Sequence, residues 1–252
     1  MRNLSRLLNP KSIAVIGGGA WCTSIIVAAH QIGFEGILRP VHPSGKIIAG
    51  IPSLPSLDQF PGPIDAAFIG VNRHATLDIV TQLRSLGAGG ATCFASGFSE
   101  SAAEDEAGHD LQAQLIVAAG DMPILGPNCY GFLNALDGCG IWPDQHGCRK
   151  VENGAAILTQ SSNIAINLTM QARGLPIAYV ITCGNQAQTS QTDVGLHLLD
   201  DPRVTAIGLH IEGFGDLRGW EALSLKAQAK NIPLIAIKSG KSQQAQAAAL
   251  SH

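Results

Sequence analysis

The feature that most constrains this chain is a glycine-rich loop between a predicted strand and a predicted helix. Residues 13–16 form an apolar run with β-branched side chains, which predicts a buried strand. Gly17, Gly18 and Gly19 follow, and the apolar residues 25–29 predict a helix. A strand, a glycine loop and a helix open doubly wound α/β domains, where the helix N-terminus binds anions. Since a tight turn does not need three glycines, we interpret the loop as a ligand-binding site.

The residues after the second predicted strand indicate which anion the loop binds. A dinucleotide site needs a third glycine, where this chain has Cys22, and an acidic residue after the second strand. Residues 36–41 instead lead to His42 and Lys46, with Arg39 nearby. This favours a nucleotide with an extra phosphate, such as the 3′-phosphate of coenzyme A or the 2′-phosphate of NADP. From this stretch alone, Lys46 is equally consistent with an ordinary solvated turn.

Composition narrows the class of protein. The 252 residues suffice for one large or two modest domains, and 46% hydrophobic against 14% charged residues indicates a compact chain. A net charge of -3 argues against a nucleic-acid partner. No apolar run approaches the roughly 20 residues of a membrane span, so we expect no membrane partner and a cytoplasmic location. The six cysteines include no C-x-x-C pair, which predicts reduced thiols and no metal site.

The strand–helix alternation continues through both halves of the chain. Residues 136–150 contain Gly138, Gly140, Pro143 and Gly147 and are predicted to be an irregular linker or capping loop. A second alternation then begins at residues 154–159, with a helix predicted over residues 164–173. Polar clusters follow its strands at residues 160–163, 184–185 and 212–213. Ligands of doubly wound sheets bind beyond the carboxyl ends of strands, so these clusters are candidate site residues.

Two of these clusters have alternative interpretations. Ser161 or Ser162 could simply cap a helix, or the free N–H groups beyond them could hold a phosphate. Glu212 could be a loop residue, or it could hold one ring nitrogen of a histidine so that the other nitrogen is a nucleophile. His252 is a candidate partner by chemistry alone, although terminal residues are usually frayed and spacing alone does not favour the pair.

Nine motifs in order give the chain a family resemblance. They lie at residues 10–17, 40–43, 96–100, 126–131, 159–162, 183–185, 211–213, 238–241 and 251–252. In this order they resemble the NDP-forming acyl-CoA synthetases, relatives of the succinyl-CoA synthetase α subunit. The resemblance implies an α/β chain with a Rossmann-like CoA-binding domain at residues 1–135 and a linker at 136–150. A flavodoxin-like ligase domain would follow at 151–252, truncated at its C-terminal end.

The resemblance also implies an activity and its residues. Family members convert a carboxylic acid, CoA and a nucleoside triphosphate to acyl-CoA, nucleoside diphosphate and phosphate, through an acyl phosphate and a phosphohistidine. His252 matches the phosphorylated histidine, Glu212 the glutamate that orients it, and Ser161, Ser162 and Asn163 the phosphate site. The implied CoA contacts are Gly17, Gly18, Gly19, Ala20, His42, Lys46, Val71, Asn72, Arg73, Ala95, Ser96, Gly97, Asn128 and Cys129.

The chain departs from the family pattern at three points. Ser162 stands where the family usually has glycine, and His42 where it usually has asparagine. The ATP-grasp part, which would bind ATP or GTP with Mg, is missing. We therefore expect a fragment or an α-like subunit that binds CoA without full turnover. Its expected partners are an ATP-grasp domain or β subunit, a small carboxylic acid and further copies in an oligomer.

Two other functions remain open. One is a non-catalytic acyl-CoA-sensing module of the kind fused to protein acetyltransferases. Those relatives usually lack the phosphorylated histidine, so Ser251 and His252 favour the synthetase. The other is an NADP-binding oxidoreductase domain, which the second half of the chain does not support.

Overall fold

The computed structural model describes residues 2–101 and 107–239. Its first half contains α1 Ser5–Leu8, β1 Ser12–Ile16, α2 Ala20–Ile32, β2 Ile37–Val41, β3 Ile47–Ile48, β4 Ile51–Pro52, β5 Ala66–Ile69, α3 Arg73–Ser85, β6 Ala91–Cys93, α4 Ala107–Ala119 and β7 Ile124–Leu125. Its second half contains β8 Phe132–Asn134, β9 Cys139–Ile141, β10 Gly154–Thr159, α5 Ser162–Thr169, β11 Ile177–Thr182, α6 Gln191–Leu198, β12 Val204–Ile211, α7 Leu217–Ala229 and β13 Leu234–Lys238.

The first sheet has the parallel order β2-β1-β5-β6-β7. Every residue of β1 and β5 is buried, which explains why both strands read as continuous apolar runs. Strand order reverses between β1 and β5, and doubly wound sheets bind ligands at such a switch point. The glycine loop after β1 and the turn after β5 therefore lie side by side.

The second sheet has the order β13-β12-β10-β11-β8-β9. Strands β10 to β13 are parallel, whereas β8 and β9 pair antiparallel at one edge. Order reverses between β10 and β12, so the loops after these strands form a second switch point. Two doubly wound α/β sheets confirm the predicted fold class.

Two details of the predicted elements are wrong. The stretch 136–150 is not irregular throughout, because Cys139–Ile141 is a buried strand of the second sheet. Three residues are too few to show periodicity, and the neighbouring glycines masked the pattern. The helix predicted over 164–173 instead spans Ser162–Thr169, where the Thr169 hydroxyl donates back to the carbonyl of Ile166 at 2.7 Å. The predicted domain boundaries stay a prediction.

Candidate functional site

A cavity of about 1180 Å³ lies where the carboxyl ends of the two sheets face each other. We call it the interdomain cavity. The loops after β5, β6 and β7 of the first sheet line it together with the loops after β10, β11 and β12 of the second. Of the predicted site residues, it is lined by Val71, Asn72, Arg73, Ala95, Ser96, Asn128, Cys129, Ser161, Ser162, Asn163 and Glu212. Residues from both predicted halves of the site therefore meet in one space, whereas Gly17, Gly18, Gly19, Ala20, His42, Lys46 and Gly97 do not line it.

The glycine loop packs against the neighbouring switch-point turn. Gly17 has φ +123°, and a Cβ added there would lie 2.6 Å from the carbonyl oxygen of Gly70. Gly19 is the N-cap residue of α2 and supplies no side-chain cap, so Ala20 begins the helix with open N–H groups. Only glycine allows this backbone at Gly17, which accounts for part of the glycine run.

Two basic side chains stand over the loop. The Lys46 ammonium donates to the carbonyl oxygen of Gly18 at 2.5 Å. A Cβ added to Gly18 would lie 2.5 Å from Cδ2 of His42, whose Nδ1 lies 2.9 Å from the Ser44 hydroxyl. The structure thus brings Gly17, Gly18, Gly19, His42 and Lys46 together, as the sequence predicted.

Residues after β5 and β6 form a linked rim. The Asn72 side-chain oxygen accepts from the Ala75 N–H at 3.0 Å and caps α3, so its own amide oxygen is engaged. The Arg73 guanidinium donates to the carbonyl oxygen of Gly97 at 2.7 Å. The Glu100 carboxylate accepts from the Gly97 N–H at 2.6 Å. Gly97 is therefore held from both sides, next to Ala95 and Ser96 on the cavity wall.

The loop after β7 joins the two sheets. The Asn128 N–H donates to the Ala95 carbonyl at 2.9 Å, and the Asn185 N–H donates to the Pro127 carbonyl at 3.0 Å. Cys129 is only 1% exposed, and burial raises the pKa of its thiol to about 12. Cys129 is therefore a neutral packing group whose backbone borders the cavity.

The predicted phosphate site lies at the start of α5. Ser161 is the N-cap residue, as one alternative predicted, but its side chain makes no capping hydrogen bond. Its backbone is fixed instead by Thr159, whose hydroxyl accepts from the Ser161 N–H at 2.9 Å and donates to the Ser161 carbonyl at 3.0 Å. The first turn of α5 thus presents N–H groups and the hydroxyls of Ser161 and Ser162 to the cavity.

Glu212 is positioned through its backbone. The Gln160 side-chain oxygen accepts from the N–H groups of Glu212 and Gly213 at 2.5 and 2.8 Å. The Lys238 ammonium donates to the Glu212 carbonyl at 2.8 Å. Nearby His210 is buried with its Nδ1 3.2 Å from the Thr159 hydroxyl, and burial lowers its pKa. His252, the predicted partner of Glu212, lies outside the described residues.

Sequence reasoning missed several cavity residues. Trp21, Phe94 and Tyr130 line it, and the first and last directly follow predicted site residues, Ala20 and Cys129. The Asn185 amide donates to the Glu100 carboxylate across the cavity, and to the Gln112 side-chain oxygen at 3.1 Å. Asn185 and Gln160 were already candidates as members of two polar clusters, whereas Glu100 was not predicted although it stands in a recognised motif. Other cavity residues that were not predicted include His109, Phe214, Asp216 and Trp220.

Comparisons with known proteins agree with this geometry. Residues 11–135 match a family described as "CoA binding domain", and residues 152–252 match a "Succinyl-CoA ligase like flavodoxin domain". A trans-feruloyl-CoA synthase from an unknown prokaryotic organism is 29% identical over 100% of this chain and 37% of the synthase. The ADP-forming acetate–CoA ligase II of Archaeoglobus fulgidus is 28% identical over 99% of this chain and 38% of the ligase.

A subunit and a solved structure are also similar. The alpha subunit of the ADP-forming acetate–CoA ligase II of Pyrococcus furiosus is 27% identical over 99% of this chain and 54% of the subunit. A solved acetyl-CoA synthetase from Candidatus Korarchaeum cryptofilum superposes with a TM-score of 0.86 at 25% identity, over 99% of this chain and 55% of that one. The chain thus spans 37% to 55% of the length of these relatives.

Residues 11–135 thus match a CoA-binding domain and residues 152–252 a succinyl-CoA ligase-like flavodoxin domain, and both contribute to one cavity. These matches and the named relatives confirm the resemblance to the NDP-forming acyl-CoA synthetases that the nine motifs indicated. Within residues 2–101 and 107–239, no helix combines the length and apolar character that crossing a membrane requires.

Proposed function

We propose that this chain binds CoA and carries out acyl transfer as part of an NDP-forming acyl-CoA synthetase. The complete enzyme would convert a carboxylic acid, CoA and ATP or GTP to acyl-CoA, the nucleoside diphosphate and phosphate. The observation that carries the proposal is the interdomain cavity. It joins the turn after β5 and the loops after β6 and β7 of the CoA-binding domain to Ser161, Ser162, Asn163 and Glu212 of the ligase domain.

The chain's residues fit CoA at the first end of the site. The 3′-phosphate and pyrophosphate of CoA need a cation and N–H donors, which the Lys46 ammonium and the start of α2 supply beside the His42 ring. The Lys46 ammonium already reaches the loop that would hold the pyrophosphate. We assign the CoA contacts to the predicted set, namely Gly17, Gly18, Gly19, Ala20, His42, Lys46, Val71, Asn72, Arg73, Ala95, Ser96, Gly97, Asn128 and Cys129.

In the part of the site formed by the ligase domain, the chain would act on an acyl phosphate. The thiol sulfur of CoA forms a bond with the acyl carbon, the bond from that carbon to the phosphate oxygen breaks, and the thiol proton passes to the released phosphate. Ser161, Ser162, Asn163 and the first turn of α5 would hold the released phosphate. Glu212 would orient His252, the residue proposed to take up the phosphoryl group.

The remaining chemistry needs a partner. Relatives that are roughly two to three times longer, and one named an alpha subunit, support an ATP-grasp domain or β subunit that binds ATP or GTP with Mg. The substrate of the complete enzyme would be a small carboxylic acid. Sequence identity alone does not indicate which acid is used, because relatives named for trans-feruloyl-CoA and for acetate are 29% and 28% identical. A cytoplasmic location and oligomeric assembly remain predictions.

Calorimetric titration of the 252-residue chain tests CoA binding. We expect CoA to bind and NADP not to bind. Lys46→Ala should weaken CoA about tenfold or more, because a hydrogen bond to a charged group contributes about 1.5–3 kcal/mol. It should leave dephospho-CoA nearly unchanged, and Lys46→Arg should retain most of the affinity. Binding of NADP instead of CoA would overturn the proposal.

The role of His252 is tested by phosphorylation. Together with the ATP-grasp partner and ATP labelled at the γ-phosphate, the chain should acquire acid-labile label that His252→Ala abolishes. CoA binding without any label would favour the acyl-CoA-sensing module over the synthetase.

A further inference from the structure

Three aromatic rings form a continuous wall of the interdomain cavity. The ring centroids of Trp21 and Phe94 are 5.1 Å apart, those of Phe94 and Tyr130 5.8 Å, and those of Trp21 and Tyr130 6.2 Å. All three residues line the cavity. We call them the aromatic wall. Each ring contacts the other two, so together they present one apolar surface.

Buried rings support this wall from behind. Phe68, which is fully buried, lies 5.5 Å from Phe94 by ring centroids. Trp142, also fully buried, lies 5.8 Å from Tyr130 in an edge-on arrangement. Rings packed in this way are held in place before any ligand arrives, and ordering them costs little on binding. The wall is therefore a preformed surface rather than a set of mobile side chains.

The wall is nevertheless open to a ligand. Trp21 is 44% exposed, although it packs against two other rings. A tryptophan that is nearly half exposed to solvent has apolar surface that a ligand can cover, and flat aromatic groups pair favourably with such rings. A two-carbon acyl group is too small to cover three rings. A planar ring on the ligand would match both the area and the chemistry of the wall.

The aromatic wall shares its cavity with the proposed phosphate site. Trp21 is the second residue of α2, directly after the glycine loop, and Tyr130 directly follows Asn128 and Cys129. An acyl group must lie where the CoA thiol and the phosphate site meet, because its carbon exchanges phosphate for sulfur. The interdomain cavity holding the phosphate site is the same space that the three rings line.

We propose that the aromatic wall binds the acyl group, and that the acid used by this enzyme is a planar aromatic carboxylic acid. This inference rests on the proposed function and specifies its substrate class. Burial raises the pKa of the Tyr130 hydroxyl, with a further contribution from the charge of Asp144, so the hydroxyl stays neutral beside an apolar ligand.

Acyl-CoA ligands that differ only in the acyl group test the proposal. The 252-residue chain is titrated with free CoA, acetyl-CoA and benzoyl-CoA. We expect benzoyl-CoA to bind about tenfold or more tightly than acetyl-CoA. Trp21→Leu should remove most of this preference, and Trp21→Phe should retain it. Trp220→Leu is a matched control, because Trp220 lines the same cavity but contacts Phe214 instead of the wall.

The outcomes separate this inference from the proposed function. Equal affinity for acetyl-CoA and benzoyl-CoA, with CoA still bound, overturns the aromatic substrate and leaves CoA binding intact. If Trp21→Leu weakens free CoA as much as benzoyl-CoA, the ring contacts the CoA moiety, and the inference is again wrong. If none of the three ligands binds, the proposed function itself fails and the inference with it.

Discussion

The side-chain oxygen of Gln160 accepts a hydrogen bond from the backbone N–H of Glu212, with an O–N distance of 2.5 Å. The same oxygen accepts from the Gly213 N–H at 2.8 Å, and the Gln160 amide nitrogen donates to the Gly213 carbonyl at 2.8 Å. One glutamine after β10 therefore fixes the turn after β12. Gln160 is a positioning residue, because it fixes the backbone from which the Glu212 side chain extends. Gln160 itself lies outside that turn.

Gln160→Ala should separate phosphoryl transfer from CoA binding. Loss of the side-chain amide frees the turn, so we expect reduced phosphorylation in the complete synthetase, unchanged CoA affinity, and stability lowered by about 1 kcal/mol. Gln171→Ala is the control, since Gln171 also bonds backbone groups, but near the end of α5 and outside the cavity. Equal phosphorylation of both variants would contradict the positioning role.

Neighbouring glycines of the loop should respond differently to alanine. Gly17→Ala places a Cβ 2.6 Å from the Gly70 carbonyl oxygen at φ +123°, and such strain costs about 1–3 kcal/mol. Gly19→Ala meets no atom within 4 Å and should change stability little. Urea unfolding of both variants measures the difference. A similar loss for both would mean that the loop is not packed against Gly70.

Arg203 should make stability depend on pH in the acid range. Its guanidinium bonds both carboxylate oxygens of Asp137, at 2.9 and 3.0 Å, and holds the pKa of Asp137 below its ordinary value of 3.8. A lowered folded-state pKa stabilises the fold above about pH 3.8, and this contribution disappears as pH falls towards the folded-state value. Because Arg203 is partly exposed, we expect about 1 kcal/mol.

Chemical unfolding of Arg203→Leu between pH 3 and pH 7 checks this. The difference in unfolding free energy from the wild type should be largest near neutral pH and shrink at the acid end. Arg149→Leu, at an exposed position, is the control and should show no such trend. A difference that grows on acidification has the wrong sign and would refute the ion pair's contribution.

The cysteines should be unreactive in the folded chain. All six are free and buried: Cys22, Cys93, Cys129, Cys139, Cys148 and Cys183. Burial raises the pKa of Cys129, Cys139 and Cys148 to about 12, so almost no thiolate exists at pH 8. Mass spectrometry after iodoacetamide treatment should find no adduct without denaturant and six adducts in guanidinium. Rapid native alkylation would show that a thiol is accessible.

Local patterns were sufficient to predict most of the framework. The buried strands β1, β5, β10 and β11 are continuous apolar runs, and the polar loops follow them where parallel sheets place ligands. The glycine loop could be predicted because Gly17 needs a backbone that other residues avoid.

The remaining features depend on strand pairing and packing that no short sequence pattern encodes. Cys139–Ile141 is too short to show a period and becomes a strand only by pairing with β8. Trp21, Phe94 and Tyr130 are isolated in sequence and become a wall only when the start of α2 and the loops after β6 and β7 converge. The bond between Gln160 and Glu212 spans 52 positions. No local pattern specifies such pairs.

The loop after β7 has a consequence for ligand binding. Its backbone is bonded to Ala95 in the first domain and to Asn185 in the second, and β8 then enters the second sheet directly. Folding therefore fixes the distance between the two ends of the cavity before any ligand binds. A ligand that spans both ends does not bear the entropy of bringing two separate bodies together, so its affinity reports mainly on the contacts it makes.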